Sequence, residues 1–418
     1  MRKVAIIGAG ISGLSVAHLL KDHFRVKIFE KESTPGGLIR CKRINGNLFH
    51  ICGGHVFNSK YEDVLDWFWS FFQRDEEFTK AARNSVVYMN NSLKVPYPIE
   101  NHTFMFDKDT QLSIIKDLLN IYHSNLQGRS NISNFEDFLR ERFGQTLYDL
   151  YFKPYNEKVW RRRLDTVPLE WLEGKLPMPT VDEIFYNNFN HVEEKAFVHS
   201  TFWYEKFGGS QFIVDRLARD LDIECNAKIE SIKRIDGKWM IGNELFDKVV
   251  FCGNIKQLPS LVLDVELGGY ISEIDHLESH GTTAVFCEID SNPYSWIYLP
   301  DTAYESHRII CTGNFSSTNN AHSVVITGTV EFTDAISKDD IIDNLARIPL
   351  HPKYITHHFN KYTYPIQRNN TREMILSMKK ELAKKEFYMT GRFADWEYYN
   401  MDVSIKAAME TCNEIITH

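Results

Sequence analysis

Three glycines and a carboxylate near the N-terminus carry the first legible chemistry. Gly8-Ala9-Gly10-Ile11-Ser12-Gly13 follows the apolar run Val4-Ala-Ile-Ile7, and Glu30 closes a second run, Val26-Lys-Ile-Phe29. The first run reads as a buried parallel strand, and Leu14 to Leu20 has helical spacing. Strand, glycine turn, helix, strand and acid, with about 20 residues from the glycines to the acid, make a dinucleotide fingerprint. Gly8 permits the tight turn, Gly10 admits a pyrophosphate to the backbone, and Gly13 lets the helix pack close on the strand. Ser12 stands where the helix N-terminus offers free N–H groups to phosphates. Glu30, followed by Lys31, is placed to accept ribose hydroxyls. An acid at position 30 argues against a 2′-phosphate, which leaves FAD or NAD.

Thr34-Pro-Gly36-Gly37-Leu38-Ile-Arg40 allows a second close approach of backbone to the cofactor. This pattern resembles the flavoprotein superfamily of amine oxidases, protoporphyrinogen oxidase and phytoene desaturases, and the resemblance implies FAD. Further segments, in order, resemble the UDP-galactopyranose mutase family over nearly the whole length. They are Gly53-Gly54-His55-Val56-Phe57, Val95-Pro-Tyr97-Pro-Ile99 and Lys153-Pro-Tyr155-Asn156-Glu-Lys-Val-Trp160. They continue with Trp296-Ile-Tyr298-Leu-Pro300 and Arg308, Tyr364-Pro365, and Gly391-Arg392-Phe-Ala-Asp-Trp-Glu-Tyr398 before Asn400-Met-Asp402. The match looks closer to the eukaryotic type than to the short bacterial type.

The resemblance implies a mutase that interconverts the pyranose and furanose forms of a nucleotide sugar, most simply UDP-galactose. It also implies reduced flavin, whose N5 attacks the anomeric carbon, with no protein nucleophile. The reaction is redox-neutral overall, so NAD(P)H serves only as a candidate reductant for activation. The implied catalytic residues are Arg308, Arg392 and His55. Tyr97, Glu100, Tyr155, Asn156 and Trp160 are implied substrate contacts, as are Lys175, Tyr298, Tyr364 and Tyr398. Implied cofactor contacts beyond the glycine turns are Lys31, Leu38, Gly54, His55, Ile229, Gly391, Arg392, Asp402 and Ser404. Two positions depart from the eukaryotic-type pattern. Glu100 stands for Gln, which adds a charge and removes a donor, and Lys175 stands for Arg, which loses the planar fork.

The chemistry of the residues agrees with this. A diphosphate needs fixed cations, and an arginine fork matches phosphate oxygens. Arg308 and Arg392 supply them, with the hydroxyls of Tyr298, Tyr364 and Tyr398 completing the shell. Tyr97 and Tyr155 offer faces to a nucleobase. Taken alone, each of these residues reads as ordinary packing or surface. Arg161-Arg162-Arg163 reads as a solvated helix end and His357-His358 as surface. At His55 the main chain matters more than the imidazole.

The elements that must position these groups give an α/β fold. A Rossmann-type cofactor domain is expected in three pieces, 1–90, 201–255 and 386–418. A mainly helical insert, 91–200, and an antiparallel-sheet substrate region, 256–385, lie between them. Phe207-Gly-Gly-Ser210 opens a helix that returns the chain to the cofactor domain. The chain has 418 residues, 43% hydrophobic and 25% charged, so a sizeable core and little disorder are expected. A net charge of −8 excludes a general nucleic-acid binder. Seven cysteines without a CxxC spacing read as reduced thiols in a cytoplasmic protein, with no metal site. Val64 to Phe72 is too short to span a membrane and reads as a core helix. The partner is a small-molecule nucleotide sugar, and the oligomeric state is left open. Two alternatives share the fold. One is an amine-oxidase-like or protoporphyrinogen-oxidase-like oxidoreductase, which would not need two diphosphate arginines. The other is a flavin-binding protein without chemistry.

Overall fold

The computed structural model describes the chain except residues 91, 129–131, 170–178, 193–200, 263–266, 369 and 418. Lys175 lies outside the described residues.

The glycine turn opens from a five-stranded parallel sheet. Its order is Phe387–Met389, Lys248–Phe251, Lys3–Ile7, Arg25–Phe29 and Ile223–Glu224. All four pairings are parallel. Past their basic first residues the two central strands, Lys3–Ile7 and Lys248–Phe251, are apolar, because helices and a second layer cover both faces. Val4, Ala5, Ile6, Val249, Val250 and Phe251 are fully buried. The helix Ile11–Leu20 seats on this sheet beside the C-terminal helix Met401–Thr417. A Cβ at Gly13 would lie 1.9 Å from the Gly8 carbonyl oxygen, so no other residue permits that seat. The sheet draws its strands from three separated stretches of chain, residues 3–29, 223–251 and 387–389.

A small antiparallel sheet, Ile232–Ile235, Lys238–Ile241 and Glu244–Phe246, covers one side. Asp236 (φ 48°) and Gly237 (φ 80°) form its two-residue hairpin turn, where both central residues need positive φ.

The third sheet has seven strands. Its order is Lys353–Ile366, Glu278–Asp290, Val325–Thr333, Arg308–Ile310, Trp296–Tyr298, Ser85–Tyr88 and Lys94–Pro96. Trp296–Tyr298 runs parallel to Ser85–Tyr88, and the other pairs are antiparallel. Ser85–Tyr88 falls inside the segment 1–90 and Lys94–Pro96 inside 91–200, yet both complete this sheet. The strand Lys353–Ile366 has no counterpart in the sequence reading. It is an edge strand with lysines and histidines along it, so its alternation is weak. His357 is not free surface, because its Nδ1 meets the Tyr354 hydroxyl at 2.7 Å. The helix Thr371–Ala383 was also not expected. Its Met374, Ile375, Met378 and Leu382 pack into the core under the parallel sheet.

The stretch 91–200, expected to be mainly helical, holds the helices Lys108–Leu126, Phe135–Leu147 and Lys153–Trp160. Glu62–Trp69 is a core helix: Val64 and Phe68 are fully buried, and Phe57 stacks on Phe68 at 3.6 Å. Among the described residues no helix is long and apolar enough to cross a membrane. All seven cysteines are free thiols.

Candidate functional site

The two glycine turns face each other. Gly10 and Gly37 approach so closely that a Cβ on Gly37 would lie 3.3 Å from the Gly10 Cα. Gly36 and Gly37 have φ of 125° and 55°, a backbone open to glycine. Gly391, at φ 112°, closes against Ser12, whose Oγ a Cβ there would meet at 2.8 Å. The result is a bare-backbone cradle at the N-terminus of the helix Ile11–Leu20. The carboxylate of Glu30 accepts the Ala9 N–H at 2.8 Å and the Glu32 N–H at 2.9 Å. These bonds orient it and leave further lone pairs able to accept from hydroxyl donors. Ala227 donates to the Glu30 carbonyl, which brings the half-buried Ile229 near the same end. Ser404 is buried in the first turns of the C-terminal helix, just after Asp402. Lys31 lies in solvent: its side chain is 64% exposed and, among the described residues, pairs with Glu32 alone, at 3.8 Å.

The loop Gly53-Gly54-His55 stands between this cradle and the seven-stranded sheet. Gly54 lies against Ile310, where a Cβ would sit 2.6 Å from a side-chain methyl. Burial, with the cations Arg392 and Arg308, pulls His55 down to about 4, against hydrogen bonds to the Cys52 and Leu38 main chain. Its imidazole is therefore neutral, and its Nε2 is buried with no hydrogen-bond partner among the described residues.

The sheet brings Arg308 and a cluster of tyrosines to this loop. Arg308 sits opposite Tyr298 and Glu331 in register. Its Nε donates to the buried Glu331, and its Nη2 donates to the Tyr364 hydroxyl at 3.1 Å. Among the described residues Nη1 carries no hydrogen bond. Burial opposes the charge on Arg308, but Glu331 and the tyrosines Tyr364 and Tyr155 hold it well above its ordinary range. Tyr155 stands edge-on to Tyr298 at 5.5 Å, Tyr97 lies 4.9 Å from Tyr298, and Tyr364 stacks on Tyr398 at 5.4 Å. The sequence-derived tyrosines thus form one aromatic wall around Arg308.

Three expectations are corrected. Arg392 is mostly a strut: Nε and Nη2 donate to the Thr363 carbonyl and Nη1 to the Tyr399 carbonyl, beneath the Tyr398 ring at 4.1 Å. It keeps only part of its fork for a ligand. Trp160 ends its helix facing inward and is 2% exposed in the helical core, so it packs and does not line open space. Glu100 does not simply add a charge. Burial raises its carboxyl to about 7, so near neutrality it is often protonated and can donate as an amide would. Asn156 uses its amide on the Phe152 carbonyl, 2.7 Å away in its own helix. The arginine triplet is ion-paired: Arg161 with Glu305, Arg162 with Glu278 and Arg163 with Asp165.

Several site residues escaped the sequence reading. Arg83 donates to the Tyr298 hydroxyl at 2.6 Å and lies over the Tyr97 ring at 5.4 Å. Tyr151 stacks on Tyr155 at 5.4 Å. Lys158 donates to the carbonyls of Leu299, Asp301 and Ser306, tying its helix to the loop before Arg308; burial lowers it to about 7. For Glu331 a signal existed: a lone carboxylate inside the apolar strand Val330-Glu331-Phe332.

Comparisons with known proteins agree with this architecture. A family model described as an NAD(P)-binding Rossmann-like domain matches residues 6–72. The chain is 23% identical to a UDP-galactopyranose mutase of Mycoplasma genitalium, over 99% of this chain and 95% of that one. It is 25% identical to a dTDP-fucopyranose mutase of Escherichia coli, over 98% and 97% respectively. A solved structure of reduced UDP-galactopyranose mutase superposes with a TM-score of 0.87 at 21% identity, covering 100% of this chain and 94% of that one. A putrescine oxidase structure covers 100% and 99% with a TM-score of 0.66 at 13% identity. The chain has the fold these proteins share.

Proposed function

We propose that this chain is an isomerase: a flavin-dependent mutase that interconverts the pyranose and furanose forms of a nucleotide sugar, most simply UDP-galactose. The observation that carries it is Arg308. One edge of its fork is fixed by Glu331 and Tyr364, Nη1 is left for a ligand, and the whole sits beside the loop facing the glycine cradle. An oxidase of the same fold has no need for a buried arginine held ready in this way. The full-length likeness to two nucleotide-sugar mutases supports the reading.

The cofactor is FAD. The cradle of Gly10 and Gly37, the oriented Glu30 carboxylate and the orphaned Nε2 of His55 fit a flavin dinucleotide. When bound and reduced, the flavin supplies the nucleophile for the anomeric carbon. The chain's own residues do the rest. Gly8, Gly10 and Gly37 present main chain to the pyrophosphate. Arg308 takes the charge of the departing diphosphate, in a wall of aromatic rings that limits water. Tyr364, and the part of Arg392 not engaged with carbonyls, add donors. Tyr97 and Tyr298 offer ring faces toward the base, with Glu100 as a donor when protonated. His55, neutral at physiological pH, holds the cofactor-side loop rather than moving a proton. The seven thiols support a cytoplasmic location, and the product would feed a furanose-transferring glycosyltransferase of cell-surface polysaccharide synthesis.

The test is Arg308→Ala. Charge-assisted bonds of this kind contribute about 1.5–3 kcal/mol, so UDP affinity should fall roughly 10–100-fold. FAD content should stay near that of the wild type. Unchanged UDP affinity in this variant removes the main physical support for a nucleotide-sugar substrate. Comparing turnover of UDP-galactopyranose with that of dTDP-fucopyranose then decides base and sugar.

A further inference from the structure

We propose that Glu331 is a positioning residue that couples the diphosphate end of the site to the loop facing the flavin; this rests on the functional reading above. Glu331 is fully buried in the strand Val325–Thr333, directly opposite Arg308. One carboxylate oxygen accepts the Arg308 Nε–H, and the other accepts the Gly53 N–H at 3.1 Å. The other titratable groups facing it are His307, whose Nε2 is 3.8 Å away, with Cys52 and Tyr364. Burial holds His307 neutral, so Arg308 is the charge partner. A buried carboxylate is retained only where such bonds compensate its lost hydration.

This one group does two things. By occupying Nε it decides which part of the guanidinium remains for phosphate. It also joins that guanidinium to the main chain two residues before His55. A phosphate drawing on Arg308 weakens the Arg308–Glu331 bond, and the same carboxylate relays the change to the Gly53 amide. No other described residue bonds both Arg308 and this loop.

The experiment titrates UDP into oxidised, FAD-loaded protein and records the flavin absorbance difference spectrum with the affinity. Wild type should show a UDP-induced difference spectrum. Glu331→Gln has one acceptor oxygen for two donors. Its saturated difference spectrum should fall by about half or more, while UDP affinity stays within about tenfold. In a double-mutant cycle with Arg308→Lys, the affinity losses should be strongly non-additive. A merely structural residue would shift the melting temperature and leave the saturated spectrum and additivity unchanged. If Glu331→Gln does not retain FAD, Glu331→Asp replaces it, since its arm is too short for both donors and the same spectral loss is expected. A full difference spectrum with additive losses in the variant that folds overturns the proposal, and so does UDP binding to wild type with no difference spectrum at all. Failure of wild type to bind UDP instead overturns the functional reading itself.

Discussion

Arg308 and Arg392 show how far residue type alone can be read. Both are arginines near a flavin-side loop, and both were expected to meet a diphosphate. The structure separates them by their partners: a carboxylate and a tyrosine hydroxyl for Arg308, two main-chain carbonyls for Arg392. Arg392→Lys should therefore cost FAD retention as well as UDP affinity, whereas Arg308→Lys should cost UDP affinity and leave FAD retention near that of the wild type; flavin content and UDP titration of both variants check this. Buried acids were less legible. Glu205 looks ordinary at a strand end, yet it is 1% exposed, and neither carboxyl oxygen has a partner among the described residues. Burial raises it from 4.5 to about 8. Below the lower value it is protonated in both folded and unfolded states. Between the two, the folded state keeps a proton that the unfolded chain has released. Stability therefore falls as pH rises across that window, by about 1.4 kcal/mol per unit, and levels off above it. Glu205→Gln should remove that slope, melting higher than wild type near the top of the window and alike near its bottom. Parallel melting curves for the two proteins at every pH would contradict it.

At the level of elements, the glycine turn was the most legible feature because each glycine answers a separate geometric demand. Two of those demands can be told apart. Gly13→Ala would place a Cβ 1.9 Å from a carbonyl oxygen of the sheet, and that backbone cannot yield. At Gly10 a Cβ meets nothing nearer than the Gly37 Cα, at 3.9 Å, so a side chain begins there without a backbone clash. Gly13→Ala should lose cooperative folding, whereas Gly10→Val should fold and fail to retain FAD. Circular dichroism melts with released-flavin assays read both outcomes, and a yellow Gly10→Val protein would contradict the pyrophosphate site. The short apolar runs at residues 4–7 and 26–29 were equally readable, and both are strands of the parallel sheet. The strand Lys353–Ile366 and the helix Thr371–Ala383 were not. The first lies at a sheet edge where lysines and histidines blur the alternation, and the second buries only one narrow face.

For the whole molecule, the order of pieces was readable and their joints were not. Motifs spaced along the chain led to the expectation of a cofactor domain in three pieces, and the five-stranded sheet takes its strands from three separated stretches of chain. That Ser85–Tyr88 and Lys94–Pro96 extend the substrate-side sheet depends on long-range pairing with Trp296–Tyr298, which no local pattern encodes. Those pairings set Tyr97 and Arg83 against Tyr298 and so complete the site. The account's central claim is that this assembly isomerises a nucleotide sugar without net oxidation. The most direct measurement follows furanose formation from UDP-galactopyranose by oxidised and by dithionite-reduced protein, anaerobically, with reductant and oxygen consumption recorded. Reduced protein should turn over many times per flavin with no reductant consumed, and oxidised protein should be inactive. Turnover by the oxidised form with oxygen consumed in step with product would contradict the account and place the chain among the oxidases of this fold.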